Sequence, residues 1–106
     1  MQETARVYDL KTRLDWGEPA LTIVDIRDRD LFNERHVMGA ISLPIDELVD
    51  RIQATLECDR DLYIYASTDE EAATAADALR SAGYQKVSVL RGGVAAWKAA
   101  GFQTET

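Results

Sequence analysis

Two kinds of hydrophobic pattern alternate along this chain. Leu21-Thr22-Ile23-Val24-Asp25-Ile26, Ile41-Ser42-Leu43, Leu62-Tyr63-Ile64-Tyr65 and Val87-Ser88-Val89-Leu90 are short, nearly continuous apolar runs. That is the pattern of strands covered on both faces. Between them, Ile45, Leu48, Val49, Ile52 and Leu56 recur at helical spacing, with Asp46, Glu47, Asp50 and Arg51 turned outward. A second helix is expected from Thr68 to Ser81, with Ala72, Ala75, Ala76 and Leu79 on one side. Its small side chains let the axis lie close to a sheet, and Gly83 closes it in the left-handed conformation that glycine tolerates. Arg6 to Tyr8 reads as a short edge strand, followed by a helix that Asp9 caps and that runs to Asp15 or Trp16 before Gly17 and Pro19 stop it. Asp30 is expected to cap a short helix, Leu31 to Arg35. Gly92-Gly93 reads as a turn, and Val94 to Ala100 as a final helix anchored by Trp97. Trp16 is read as a packing residue like Trp97, and Tyr63 and Tyr65 as core residues with satisfied hydroxyls. Strands alternating with helices predict an α/β fold with a largely parallel sheet. No repeat or linker divides the sequence, so residues 1–106 are expected to form a single domain.

Composition narrows the function classes. The 106 residues are 46% hydrophobic and 29% charged, as in soluble globular proteins. Nineteen acidic against 12 basic residues leave a formal charge of −7. Phosphate backbones and anionic lipid repel such a surface, so neither nucleic acid nor membrane is an expected partner. No apolar run approaches the roughly 18 residues of a membrane span. The N-terminal stretch lacks a signal-like apolar core, so a cytoplasmic location is expected. One cysteine, Cys58, and one histidine, His36, can make neither an intrachain disulfide nor a Cys₄ or Cys₂His₂ zinc site. No cofactor or metal is implied. Gly92-Gly93 lacks the spacing of a phosphate loop, and Ser67 sits in no nucleophile elbow.

Three segments together carry a resemblance. Val24-Asp25-Ile26-Arg27, then Phe32 to Ala40, then Ile41-Ser42-Leu43-Pro44 resemble the opening signature of rhodanese-like domains. The stretch Ala82-Gly83-Tyr84 with Val87 to Trp97 resembles their closing signature. The resemblance runs from about Val7 to Gly101. It implies a five-stranded, mostly parallel sheet with helices on both faces. Arg35 and Met38 depart from the family's usual glycine and proline, in a connecting loop.

A further departure bears on function. Active members of the family place a cysteine directly after the central strand, at the head of a loop that wraps its sulfur. The thiolate attacks the outer sulfur of a donor, becomes a persulfide and hands that sulfur to a nucleophile. Loop amides and a helix N-terminus stabilise the anion. Counting back from Tyr84 in the family spacing places that position at Ala66. The rest of the loop is Ser67, Thr68, Asp69, Glu70 and Glu71, where the family usually has arginine and glycine. The resemblance therefore implies a degenerate active-site loop with no catalytic residue. The same residues fit a helix-capping box, from Thr68 to Glu71 or from Ser67 to Glu70. Acidic side chains in a first helical turn also favour the helix through its dipole. An acidic patch that recognises a basic partner is the alternative reading of the loop.

Three functions follow as expectations. The first is a catalytically inactive module that acts by binding a protein partner. The second is a sulfurtransferase that uses Cys58 or a partner's cysteine. Cys58 precedes the central strand, roughly 16 Å from the loop at 3.3 Å per residue, among acids that oppose a thiolate. The third, the family's phosphatase or arsenate-reductase branch, lacks the cysteine–arginine loop it needs. His36 is read as structural, and Asp25 with Arg27 as a salt-bridged pair fixing the loops at a strand end.

Overall fold

The computed structural model describes residues 4–17 and 21–106. In chain order its elements are β1 (Thr4–Ala5), α1 (Val7–Asp15), β2 (Leu21–Asp25), α2 (Arg29–Glu34), β3 (His36–Val37), β4 (Ile41–Ser42), α3 (Ile45–Thr55), β5 (Asp61–Tyr65), α4 (Asp69–Ser81), β6 (Val87–Leu90), α5 (Gly93–Ala99) and β7 (Thr104–Glu105). Five strands form one sheet in the order β1-β6-β5-β2-β4, and every pairing in it is parallel. The expected α/β architecture is present. A two-stranded antiparallel sheet, β3 with β7, was not expected. Two-residue strands carry no periodicity to read.

The central strands bury both faces by alternation, since successive side chains point to opposite sides. Val24, Leu62, Ile64, Val87 and Val89 join Leu48 and Ile52 of α3 and the Ala72, Ala75, Ala76 and Leu79 face of α4 in one core. Ile23, Tyr63, Tyr65 and Leu90 join Val7 and Leu10 of α1 and Trp97 of α5 in the other. The alanine face of α4 is fully buried, as its composition predicts. Gly83, at φ 103°, ends that helix. The Gly83 amide donates to the Arg80 carbonyl and the Tyr84 amide to the Leu79 carbonyl, the paired bonds of a left-handed C-terminal cap.

Local expectations needed correction at the ends of elements. Arg6 to Tyr8 is not a strand: the strand is Thr4–Ala5 and Val7 opens α1. Asp9 is not the first cap but lies three residues inside, where its carboxylate accepts the Arg6 amide at 3.1 Å. Asp28, not Asp30, occupies the position before α2, and Gly92-Gly93 is more than a turn, because Gly93 begins α5. Pro19 lies outside the described residues. Trp16 is 79% exposed and joins neither core cluster among the described residues; it follows the last helical residue of α1.

A buried ion pair organises the carboxyl end of the sheet. Asp25, the last residue of β2, is fully buried. Its carboxylate accepts the Arg27 amide at 2.9 Å and a paired set of bonds from the Arg27 guanidinium, the shortest 2.6 Å. Arg27 also donates to the Arg35 carbonyl at 2.7 Å and lies over the Tyr65 ring. Hydrogen bonding to Asp25 raises the Arg27 pKa, against the opposing effect of burial. Burial raises the Tyr65 phenol well above its ordinary value, so it stays neutral and accepts the Val37 amide at 3.1 Å. Tyr63 accepts from Arg13 at 2.8 Å. Both tyrosine hydroxyls are thus satisfied. His36 is buried, stacked on Phe32 at 3.7 Å, with Nδ1 bonded to the Phe32 carbonyl at 2.8 Å. It braces the connection after α2, as its structural reading requires.

Two changes test this architecture by urea denaturation. Asp25→Ala leaves a largely buried guanidinium without its anion and is expected to cost about 3 kcal/mol or more. Gly93→Ala is expected to cost about 1–3 kcal/mol, because Gly93 sits at φ 53° and a Cβ there meets the Ala66 carbonyl and the Tyr65 ring at 3.2 Å. Wild-type midpoints for either variant would show that the site is not held as described.

Candidate functional site

A cleft of about 310 Å³ opens at the carboxyl end of β2 and β5, lined by Ile26, Arg27, Asp28, Leu31, Ile45, Ala66, Ser67, Glu71 and Thr74. This is the end of a parallel sheet where α/β proteins bind ligands. Ala66 follows the last residue of β5, and its neighbour Tyr65 is paired in register with Asp25. The Ile26 amide donates to the Tyr65 carbonyl at 3.1 Å, so β2 continues to grip β5 at the point where the loop departs. On the other side the loop rests on the start of α5, where Gly93 lets the backbone approach the Ala66 carbonyl. Asp69 closes that contact by accepting the Gly92 amide at 2.9 Å.

The six loop residues divide by role. Ala66 is partly buried at the cleft floor and brings a methyl group. Ser67 lines the cleft and is exposed. Thr68 is the residue that caps α4: its hydroxyl accepts the Glu71 amide at 3.1 Å and donates to the Glu71 carboxylate at 3.1 Å. The cap is therefore the Thr68–Glu71 version of the two capping registers, and Ser67 is not part of it. Asp69, Glu70 and Glu71 fill the first turn of α4. The positive end of the helix dipole meets the chain's own carboxylates.

Electrostatics follow from these partners. Arg27 is the cation in the cleft lining, and its guanidinium is already committed to Asp25 and the Arg35 carbonyl. Asp28 makes no capping bond to α2 and is exposed, as is Glu71. Arg29 is held by Glu47 at 3.1 and 3.2 Å, which raises the Arg29 pKa and lowers that of Glu47. Among the described residues, the cleft lining thus offers an anion no unpaired guanidinium and two carboxylates. Among the described residues, no group of three or more His, Cys, Asp and Glu stands where it could hold a metal ion. No helix among them is long and apolar enough to cross a membrane.

Cys58 lies away from the cleft. It precedes β5, while Ala66 follows it. Its thiol is exposed and faces Gly83, where an added Cβ would lie 3.6 Å from Sγ. Burial raises the Tyr84 phenol; Tyr84 donates to the Leu56 carbonyl at 2.6 Å. The structure does not bring Cys58, His36 and the loop together.

Sequence reasoning found the loop but missed the opposite wall. Asp28, Leu31, Ile45 and Thr74 enter the cleft from the start and body of α2, the start of α3 and the side of α4. A partial signal existed at Ile45. Helical periodicity assigns it to the apolar stripe, yet it is the first residue of α3 and 51% exposed, so it overhangs the core and faces the cleft.

Comparison with known proteins agrees with this geometry. The Rhodanese-like domain family matches residues 7–100. An HTH-type transcriptional regulator of Mycobacterium tuberculosis, Rv0324, is 35% identical over 99 residues, covering 92% of this chain and 42% of that protein. The chain spans about half the length of the curated relatives it matches. A solution structure of the rhodanese-like domain of Alr3790 from Anabaena sp. is 51% identical, with a TM-score of 0.92, over 99% of this chain and 80% of that one. A thiosulfate sulfurtransferase from Pseudomonas aeruginosa is 28% identical, with a TM-score of 0.87, over 96% of this chain and 19% of that one. With the parallel five-stranded sheet, the loop after β5 and a family match that covers most of the sequence, this chain belongs to the rhodanese-like domain family.

Proposed function

We propose that this chain is a catalytically inactive rhodanese-like module that works by binding a protein partner, in a cytoplasmic setting. The family is linked to sulfur transfer, which needs a nucleophile at the head of the loop. The observation that carries the proposal is the methyl side chain of Ala66 at that place. Three further features support it. The loop's carboxylates are the wrong sign for thiosulfate, phosphate or arsenate. Arg27 is consumed by Asp25. The helix end that would stabilise a sulfur anion is capped by Thr68. A net charge of −7 disfavours nucleic acid and membrane as partners. A related sequence also makes up 42% of a transcriptional regulator, which fits use of such a domain as part of a larger protein.

The competing reading is sulfur transfer through Cys58 or through a cysteine that a partner supplies. One observation favours it: Cys58 is an exposed residue that a donor can approach. Against it stands the position of Cys58 before β5, whereas Ala66 follows that strand. The cradle of the family's chemistry thus lies at the other end of β5.

Purified protein is expected to turn over thiosulfate and cyanide no faster than a heat-inactivated blank, and intact-mass measurement after thiosulfate treatment is expected to find no sulfur added to Cys58. Turnover above the blank overturns the inactive reading. A persulfide on Cys58 that passes to an acceptor establishes the competing one. Ala66→Cys alone is expected to give little or no activity, because Asp69, Glu70 and Glu71 oppose the thiolate. Adding Glu71→Arg should raise activity above that of the single variant. Robust turnover from Ala66→Cys by itself would show that the charge of the loop does not control the chemistry.

A further inference from the structure

The cleft over Ala66 carries apolar surface that the protein's own packing does not use. Leu31 is 39% exposed and Ile45 51% exposed, and both line the cleft whose inner wall includes buried Ile26 and partly buried Ala66. Isolated exposed aliphatic residues are ordinary. Two of them in one concave site, between exposed carboxylates, are a recognition surface of defined chemistry. The carboxylates are Asp28 on the α2 side and Glu71 on the α4 side. The cations that could neutralise them are engaged elsewhere, Arg27 with Asp25 and Arg29 with Glu47. By contrast, the groove lined by Leu14, Met38 and Trp97 holds Lys11 and Asp15 already paired with each other, so no charge is left over to select a partner.

Building on the reading of this chain as a binding module, we propose that the cleft receives a segment of a partner protein in which lysine or arginine stands beside an aliphatic side chain. The aliphatic group covers Leu31, Ile45 and the Ala66 floor and removes their surface from water. The methylene stem of the basic residue lies along the same apolar surface while its head reaches Asp28 or Glu71. A volume of about 310 Å³ accommodates one or two side chains rather than a folded surface, so the occupant is an extended segment. Acidic or phosphorylated segments meet like charge at both rims and are excluded.

The test is an amide-resolved NMR titration of the whole chain with three acetylated peptides of equal length. One alternates leucine with arginine, one replaces the leucines by serine, and one replaces the arginines by glutamate. The leucine–arginine peptide is expected to shift the amides of Ile26, Leu31, Ile45, Ala66 and Glu71. It should also bind at least about tenfold more tightly than either control, with affinity falling as salt is added. Asp28→Asn with Glu71→Gln should weaken that binding by about tenfold, and Ile45→Ser should weaken it as well. Glu57→Gln with Asp59→Asn, at the other end of the sheet, should leave it unchanged. The wild-type amide pattern away from the substitutions verifies that each variant is folded. Shifts centred outside the cleft, equal binding of the serine–arginine peptide, or no binding of the leucine–arginine peptide each overturn the proposal. Thiosulfate:cyanide turnover measured on the same sample keeps the two readings apart. Turnover refutes the inactive module whichever peptide binds, whereas no turnover and no binding in the cleft refutes this inference alone.

Discussion

The Asp25 carboxylate is removed from water at the end of β2, and an ionised group in that position needs a counter-charge and a full set of donors. Arg27 supplies both, two residues later, through its amide and its guanidinium. Meeting that requirement fixes more than one loop. The same guanidinium holds the Arg35 carbonyl and lies over Tyr65, whose hydroxyl accepts the Val37 amide. The end of the central strand, the connection after α2 and the strand β3 are thereby tied to one buried charge. The wall of the cleft formed by Asp28 and Leu31 is anchored at its base by this pair.

A second effect concerns the site's own electrostatics. A cation beside a cleft at the carboxyl end of a parallel sheet is the usual means of holding an anion there. Here its fork is filled by the protein's carboxylate, so the positive charge is structural. The start of α4 shows the same logic. Its orphan amides and dipole could stabilise a bound anion, but Thr68 takes the Glu71 amide and three acids occupy the first turn. The helix has been completed from within. The carboxyl end of the sheet keeps a concave surface, lined here by Asp28 and Glu71 as well as Arg27, and what such a surface can do resides in the site rather than in the fold.

The C-terminal strand adds a long-range brace that sequence patterns could not signal. β7 pairs with β3, Arg35 donates to Thr104, and the Gly39 amide donates to Glu105. The Trp97 indole donates to the Gln103 carbonyl, joining α5 to the segment that leads into β7. Partners nearly seventy residues apart hold the connection between α2 and β4 in place. Each contact is a single polar pair, and single pairs leave no period along a chain.

The sequence by itself determined the alternation of strands and helices, the two-faced burial of the central strands, the alanine face of α4 and its glycine cap. Each follows from near-neighbour chemistry: side-chain direction in a strand, repeat in a helix, positive φ at glycine. It also marked the loop at residues 66–71, because the identity of Ala66 and the charge of its neighbours are one-dimensional facts. Ends of elements were legible only to within about three residues, since capping depends on which side chain reaches which amide. Strand order, the β3–β7 pair, the engagement of Arg27 and the meeting of Leu31, Ile45, Asp28 and Glu71 around one cleft were decided in three dimensions. Those residues come from three segments that the parallel crossovers bring together, and no local rule records which distant side chain will complete a neighbour's hydrogen bonds or leave its apolar surface open to water.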